Sequence, residues 1–219
     1  DLHLSIRRQR QMCIRDSNRL LARYKHMNKL PDQYKIGPDP ASIESCMIGG
    51  IVNNNSSGMC CGVAMNSYHT VKDLRLVFVD GTVLDTSDAE SVASFEATHA
   101  DLLRRVSELA AEVQADPVLV ALIKKKFAIK CTTGYSINAL VDSPPEEPMK
   151  ILKKLMIGSE GTLAFLSRAT FNTVPEYPDK ASCFVLFPDI ELACEAAYRL
   201  RQQGVASAVE LFDRASLRE

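Results

Sequence analysis

The chain is 219 residues long and 46% hydrophobic, with 26 basic and 27 acidic residues for a net charge of −1. That length supports one good core, or one core and the start of another. The charge balance leaves no global field to attract nucleic acid or an anionic membrane, which argues against both as partners.

Seven cysteines form an odd set without disulfide-framework spacing. The residues given show no signal-peptide pattern, so none is expected, and no apolar run approaches the roughly 20 residues that span a bilayer. The expectation is a reduced, cytoplasmic protein, at most peripheral to the inner membrane.

Taken in chain order, residues 1–17 (DLHLSIRRQRQMCIRDS) are basic and lack steady periodicity. They are expected to be unstructured or non-native and are set outside fold reasoning. Residues 18–39 are polar and read as helical until Pro31. Residues 36–70 (IGPDPASIESCMIGGIVNNNSSGMCCGVAMNSYHT) are dominated by Gly, Asn, Ser and Pro and read as a long loop. Long ordered loops in compact domains are usually functional, so this stretch carries the most information.

Residues 74–79 (LRLVFV) read as a strand, Asp80-Gly81 as a hairpin turn and residues 82–84 as its partner. Leu102, Leu103, Val106, Leu109, Ala110 and Val113 recur at helical spacing across 99–114. Asp116 and Pro117 have the chemistry of an N-cap and first-turn proline for a helix running to about 127. Pro148 opens another through 156, and residues 162–174 read as one or two strands. The clusters Lys124, Lys125, Lys126 and Lys130, and Lys150, Lys153 and Lys154, read as solvated helix ends rather than an anion site.

A domain boundary is expected at 176–180. Beyond it, a strand at 181–187, a helix at 189–203 with Leu192, Ala196 and Leu200 facing inward, and a strand at 205–212 make a β-α-β unit. Gly204 is its helix stop. This unit reads as the opening of a second domain from residue 179, unable to cover both faces of its own sheet.

Three constellations carry chemistry. Residues 46–58 contain Gly49-Gly50 and then Asn53-Asn54-Asn55-Ser56-Ser57-Gly58. Glycines let backbone N–H groups approach a ligand, successive N–H groups make anion nests, and Ser and Asn add polar contacts that a diphosphate needs. A tight-turn loop without ligand fits the composition equally well, and neither a Walker lysine nor a G-x-G-x-x-G is present. Gly158-Ser159-Glu160-Gly161-Thr162-Leu163 and Thr132-Thr133-Gly134-Tyr135 are the second and third.

GPDPASIESCMIGGIVNNNSSG, then VDGTVLDT, TTGYSINAL and LMIGSEGTLAF, in that order, resemble the FAD-binding domain of the vanillyl-alcohol oxidase/p-cresol methylhydroxylase (PCMH) flavoprotein family. NNSSGMCCG, NSYHT and AVELFDRASL resemble most the bacterial FAD-linked D-lactate dehydrogenases, several of which carry a C-terminal iron–sulfur domain. The resemblance covers about 20–219. It implies an α+β fold: the second subdomain of a PCMH-type FAD-binding domain at 18–178, then the first β-α-β unit of a substrate cap.

By the same resemblance Pro38, Ser42, Cys46, Ile48, Gly49, Gly50, Asn54, Ser57 and Gly58 line the diphosphate and ribityl region of FAD. Glu160, Gly161 and Leu163 lie along the flavin. Thr133, Gly134 and Tyr135 belong to a motif near the domain core whose role is packing or contact. The family's RGGGTS-like loop has no counterpart, nor has the His-rich cap segment that supplies the catalytic base, so the catalytic residues stay unknown. Cys131 stands where the family has Asn.

Zinc at Cys60, Cys61 and His69 is disfavoured, because adjacent cysteines chelate poorly; packing suits the cysteines, and a loop hydrogen bond suits His69. Glu44 reads as a solvated carboxylate. The functional expectation is a fragment of a flavoenzyme. In the intact parent it takes a hydride from a D-2-hydroxy acid, D-lactate favoured, and electrons pass to a quinone, cytochrome or Fe–S domain rather than NAD. Alone, the fragment is expected to be inactive. The competing expectation is a non-catalytic FAD-binding or nucleotide-binding scaffold of the same fold.

Overall fold

A computed structural model describes residues 13–216. The chain divides into two compact units, Asp1–Glu176 and Tyr177–Glu219, in an α+β arrangement of helices and small antiparallel sheets. Residues 1–12 of the segment set aside by composition lie outside the described residues. Its last five begin helix α1 (Ile14–Asn28). Cys13 Sγ accepts the Asp16 N–H at 3.4 Å, and Ile14 is fully buried with Ile36 and Ile51 in a small core. One buried side chain sets the helix start here, which a composition reading does not detect. The helix stops at Lys29, in the left-handed region at φ 52°, just before Pro31.

Strand β1 (Tyr34–Lys35) pairs antiparallel with β5 (Val174–Pro175). The expected loop at 36–70 contains two short helices, α2 (Ile48–Asn53) and α3 (Ser67–Thr70). β2 (Val71–Val77), β3 (Val83–Asp85) and β4 (Phe165–Phe171) form a three-stranded antiparallel sheet in the order β3-β2-β4. Val71, Leu74 and Leu76 of β2 are buried while Lys72 and Arg75 are exposed. Irregularities between Val71 and Asp73 and between Arg75 and Leu76 interrupt the two-residue period, as bulges do.

Helices α4 (Ala89–Thr98), α5 (Ala100–Ala115), α6 (Pro117–Phe127), α7 (Ala139–Asp142) and α8 (Pro148–Met156) follow. α4 and α7 were not expected from the sequence; the Asp88 carboxylate caps α4 at the Glu90 N–H, 3.0 Å away. Asp116 caps α6 through the N–H groups of Val118 and Leu119, with Pro117 in its first turn. The inward stripe of α5 is Leu103, Val106 and Ala110; Leu102 and Leu109 are exposed, so that stripe is narrower than the apolar spacing predicted.

One core joins Leu74, Leu76 and Leu84 of the sheet to Phe95, Val106, Ile151 and Met156 of the helices. Val52, at the end of α2, and Ile157, just after α8, are fully buried in the same core. That shared burial places the two glycine-rich segments beside one another.

In the second unit α9 (Ile190–Gln203) is capped by the Asp189 carboxylate, which accepts the Leu192 N–H at 2.8 Å, and ends at Gly204. The strands expected at 181–187 and 205–212 do not form among the described residues. Leu192 and Leu200, expected to face inward, are 46% and 43% exposed, and no residue of α9 is buried. The physical reason is that a helix satisfies its backbone internally, whereas a strand needs a neighbour to accept its ladder. Hydrogen exchange should therefore find the amides of α9 much less protected than those of β2. Equal protection would show a packed core in the second unit.

Candidate cofactor site

The three sequence constellations meet. After α2 the chain turns through 53–58, and the Gly158 N–H donates to Val52 O at 3.0 Å while the Glu160 N–H donates to Asn53 O at 2.8 Å. The third segment joins from the other side: the Tyr135 N–H donates to Gly158 O at 2.7 Å and Ser136 Oγ to Ile157 O at 2.6 Å. Three of the four non-glycine residues with positive φ among the described residues lie here, Asn55 at 47°, Tyr135 at 44° and Glu160 at 53°. Backbone strain of this kind concentrates at functional sites, where surrounding structure over-determines it. Gly158 sits at φ 85°, where a side chain would be strained, and a Cβ there would lie a tight 3.1 Å from Ser136 Oγ.

A polar network, buried at Asn55, Tyr68 and Asn138, half-buried at Lys154 and open at Asp142, holds the 53–58 turn from behind. Asn55 Oδ1 accepts the Tyr68 N–H at 3.0 Å. The Tyr68 hydroxyl donates to Asp142 Oδ2 at 2.8 Å, where Asn138 Nδ2 donates as well at 3.0 Å. Lys154 Nζ donates to Tyr68 O and stands 4.3 Å from the centre of its ring. Burial and the Asp142 hydrogen bond push the Tyr68 phenol well above its ordinary pKa. Burial, then the neighbouring Lys153, holds the Lys154 ammonium below its own. Burial and Lys154 likewise lower His69, whose Nδ1 contacts Asn66 Oδ1 at 3.0 Å.

Lys154 is thus half-buried against Tyr68 rather than a fully solvated helix end. Sequence reasoning passed over Tyr68, Asn138 and Asp142. Only the N-cap chemistry of Asn66, whose Oδ1 accepts the His69 N–H, left a local signal.

Of the expected cofactor residues, Gly50, Asn54, Glu160, Gly161 and Leu163 are exposed around this junction, and Ser42 is exposed on the turn before α2. Cys46 and Ile48 pack at the edge of the small core, while Pro38, Gly49, Ser57 and Gly58 are buried. A Cβ on Gly58 would lie 1.8 Å from Asp39 O, so internal packing alone requires glycine there. Asp39 also accepts the N–H groups of Cys60 and Cys61, at 3.2 and 3.0 Å. Gly50 is the opposite case: a methyl group on its Cα would meet no protein atom within 4 Å. Glu44 ion-pairs with Arg15. Among the described residues no group of three or more His, Cys, Asp or Glu side chains could hold a metal. All seven cysteines are free, and no helix among the described residues is long and apolar enough to cross a membrane.

Residues 26–87 match the FAD binding domain family. The chain carries an FAD-binding domain. It is also 28% identical over 146 residues to a D-2-hydroxyglutarate dehydrogenase of Haemophilus influenzae, covering 64% of this chain and 14% of that protein. It is 26% identical over 152 residues to the D-2-hydroxyglutarate dehydrogenase of Pantoea ananatis, covering 66% and 14%. The chain therefore spans about a seventh of the length of these relatives. No solved structure matches it.

FAD is the cofactor of this domain, and the residues present fit it. Ser57 Oγ and Ser159 Oγ are buried without a hydrogen-bond partner among the described residues. The open space beside the Gly50 Cα lets a ligand approach the backbone. A groove of about 240 Å³ beside Gly49, lined by Ile36, Ile48, Leu166, Arg168 and Phe171, is the size of one ring system rather than a whole dinucleotide.

Two substitutions separate glycine for the fold from glycine for the cofactor. Gly50→Ala should leave the melting temperature unchanged or slightly raised, since Ala is favoured over Gly in a helix, yet weaken FAD binding measured by fluorescence titration. Gly58→Ala should destabilise the apoprotein outright. Unchanged FAD affinity in Gly50→Ala would remove that face from the site.

A second test uses pH. The folded Tyr68 phenol keeps its proton above the unfolded value of about 10, so its contribution is complete below that pH and is lost as pH rises above it. Tyr68→Phe should be less stable than the parent by about 1–3 kcal/mol near neutrality. The gap should narrow above pH of about 10 in denaturant titrations. A gap independent of pH would contradict the buried-phenol assignment.

Proposed function

We propose that this protein is the cofactor-binding part of a flavin-dependent dehydrogenase of a D-2-hydroxy acid, with D-lactate the favoured substrate. The observation that carries the reading is the FAD-binding match at 26–87 on a segment bonded directly to the 158–163 turn and, through it, to the 132–136 segment. The D-lactate preference rests on the NNSSGMCCG, NSYHT and AVELFDRASL segments. FAD, when bound, supplies the electron sink for hydride removal from the hydroxylated carbon, with a quinone, cytochrome or iron–sulfur centre as onward acceptor.

This chain's own residues bind and orient. The exposed edge at Gly50 and Asn54 faces the ligand with backbone and amide donors, and the turn at Glu160, Gly161 and Leu163 extends that wall. The network behind Asn55 holds the wall rigid. A second substrate, D-2-hydroxyglutarate, is favoured by one observation: both relatives above carry that name.

The test is reduction of the bound flavin, followed by bleaching of its visible band without oxygen. The chain alone should bind FAD weakly and stay oxidised with every acid. Together with whatever its natural gene encodes on either side, it should bleach with D-lactate, more slowly with D-2-hydroxyglutarate, and not with L-lactate or NADH. Faster bleaching with D-2-hydroxyglutarate would transfer the assignment to that acid. Bleaching by NADH, or by no hydroxy acid, would overturn it.

A further inference from the structure

We propose that Tyr135 contacts the cofactor directly, its phenol oxygen accepting a hydrogen bond from the riboflavin half of FAD. The inference rests on the assignment of FAD to this domain and goes beyond it in naming the residue, the atom and the direction of the bond.

Tyr135 is held at both ends. Its backbone sits in the left-handed region at φ 44°, a costly place for an aromatic residue, and its N–H is bonded to Gly158 O at 2.7 Å. Its hydroxyl is 2.8 Å from Thr162 Oγ1. Burial of the ring would offset such strain, but Tyr135 is 47% exposed and, with Asn54 and Gly158, borders only a small depression of about 10 Å³. The fold thus fixes an aromatic side chain at the surface of the junction without gaining a core residue from it. That combination marks a ligand contact rather than packing.

The order of protons fixes what the ligand must offer. Thr162 Oγ1 donates its one proton to Ser159 O at 2.6 Å, since a carbonyl can only accept. The contact between Tyr135 and Thr162 therefore runs from the phenol to the threonine. The single phenolic proton is committed, and what the Tyr135 oxygen has left is an acceptor lone pair. A diphosphate offers only acceptors and cannot satisfy it. The riboflavin half offers ribityl hydroxyls and the flavin imide N–H as donors; the adenosine half offers its ribose hydroxyls and the adenine amino group, and comparing riboflavin with ADP separates the two.

The experiment compares Tyr135→Phe, Thr162→Val and Thr162→Ser in the whole chain, titrated with FAD, riboflavin and ADP by calorimetry, with apoprotein melting recorded in parallel. Tyr135→Phe should lower FAD and riboflavin affinity about five- to tenfold, the scale of one net hydrogen bond, and leave ADP affinity and melting unchanged. Thr162→Val removes the partner that orients the phenol and should produce a similar loss, which Thr162→Ser restores. Unchanged riboflavin affinity in Tyr135→Phe overturns the proposal while leaving FAD in place. So does an equal loss for ADP, or a loss that merely follows melting. If Tyr135→Phe fails to fold, the two threonine variants decide, and a serine that does not rescue counts against it. A parent chain that binds no FAD at all removes the cofactor assignment, and the proposal with it.

Discussion

The arrangement depends on one pair of backbone hydrogen bonds, Gly158 N–H to Val52 O and Glu160 N–H to Asn53 O. They tie the segment after α2 to the segment after α8, two stretches far apart in sequence that carry little apolar side-chain area of their own at their tips. Backbone groups that leave water need partners, and here each glycine-rich turn supplies the other's. The latch holds because the residues on either side of it, Val52 and Ile157, are fully buried in one core with the sheet. Packing brings the two turns together, and the hydrogen bonds then set their register.

From that latch the strain at Asn55, Tyr135 and Glu160 becomes intelligible. A left-handed residue costs free energy by itself, yet each of these is restrained by a bond to a neighbouring segment: Asn55 through its side chain to the Tyr68 N–H, Tyr135 through its N–H to Gly158, Glu160 through its N–H to Asn53. The polar network of Tyr68, Asn138, Asp142 and Lys154 adds a second layer of restraint. Its hydrogen bonds link Tyr68 and Asn138, which are buried, to the half-buried Lys154 and the exposed Asp142 carboxylate.

The local elements were largely legible. Asp116-Pro117 announced α6, Pro148 announced α8, the apolar run LRLVFV announced β2, which starts three residues earlier and ends at Val77, and Gly204 announced the end of α9, because caps, turn residues and periodicity are short-range properties. The cofactor class was legible too, from four motifs in order. Less legible were α4 and α7, the start of α1 at a single buried isoleucine, and the choice between Leu102 and Leu103 as the inward residue of α5. Each depends on which neighbour is present, and periodicity does not name the neighbour.

The sequence by itself determined that glycine, serine and asparagine would crowd three loops, the first of them in the stretch that matches an FAD binding domain. Only the tertiary structure decided that all three loops form one junction, that Gly58 is glycine for Asp39 while the space beside Gly50 is open, and that Lys154 packs half-buried against Tyr68. It also decided that residues 181–187 and 205–212 form no strands. A helix carries its hydrogen-bond partners within a few residues of itself, so sequence can specify it locally. A strand, a latch between turns and a buried charge are completed by groups distant in sequence, and their energies exist only once the fold has brought those groups together.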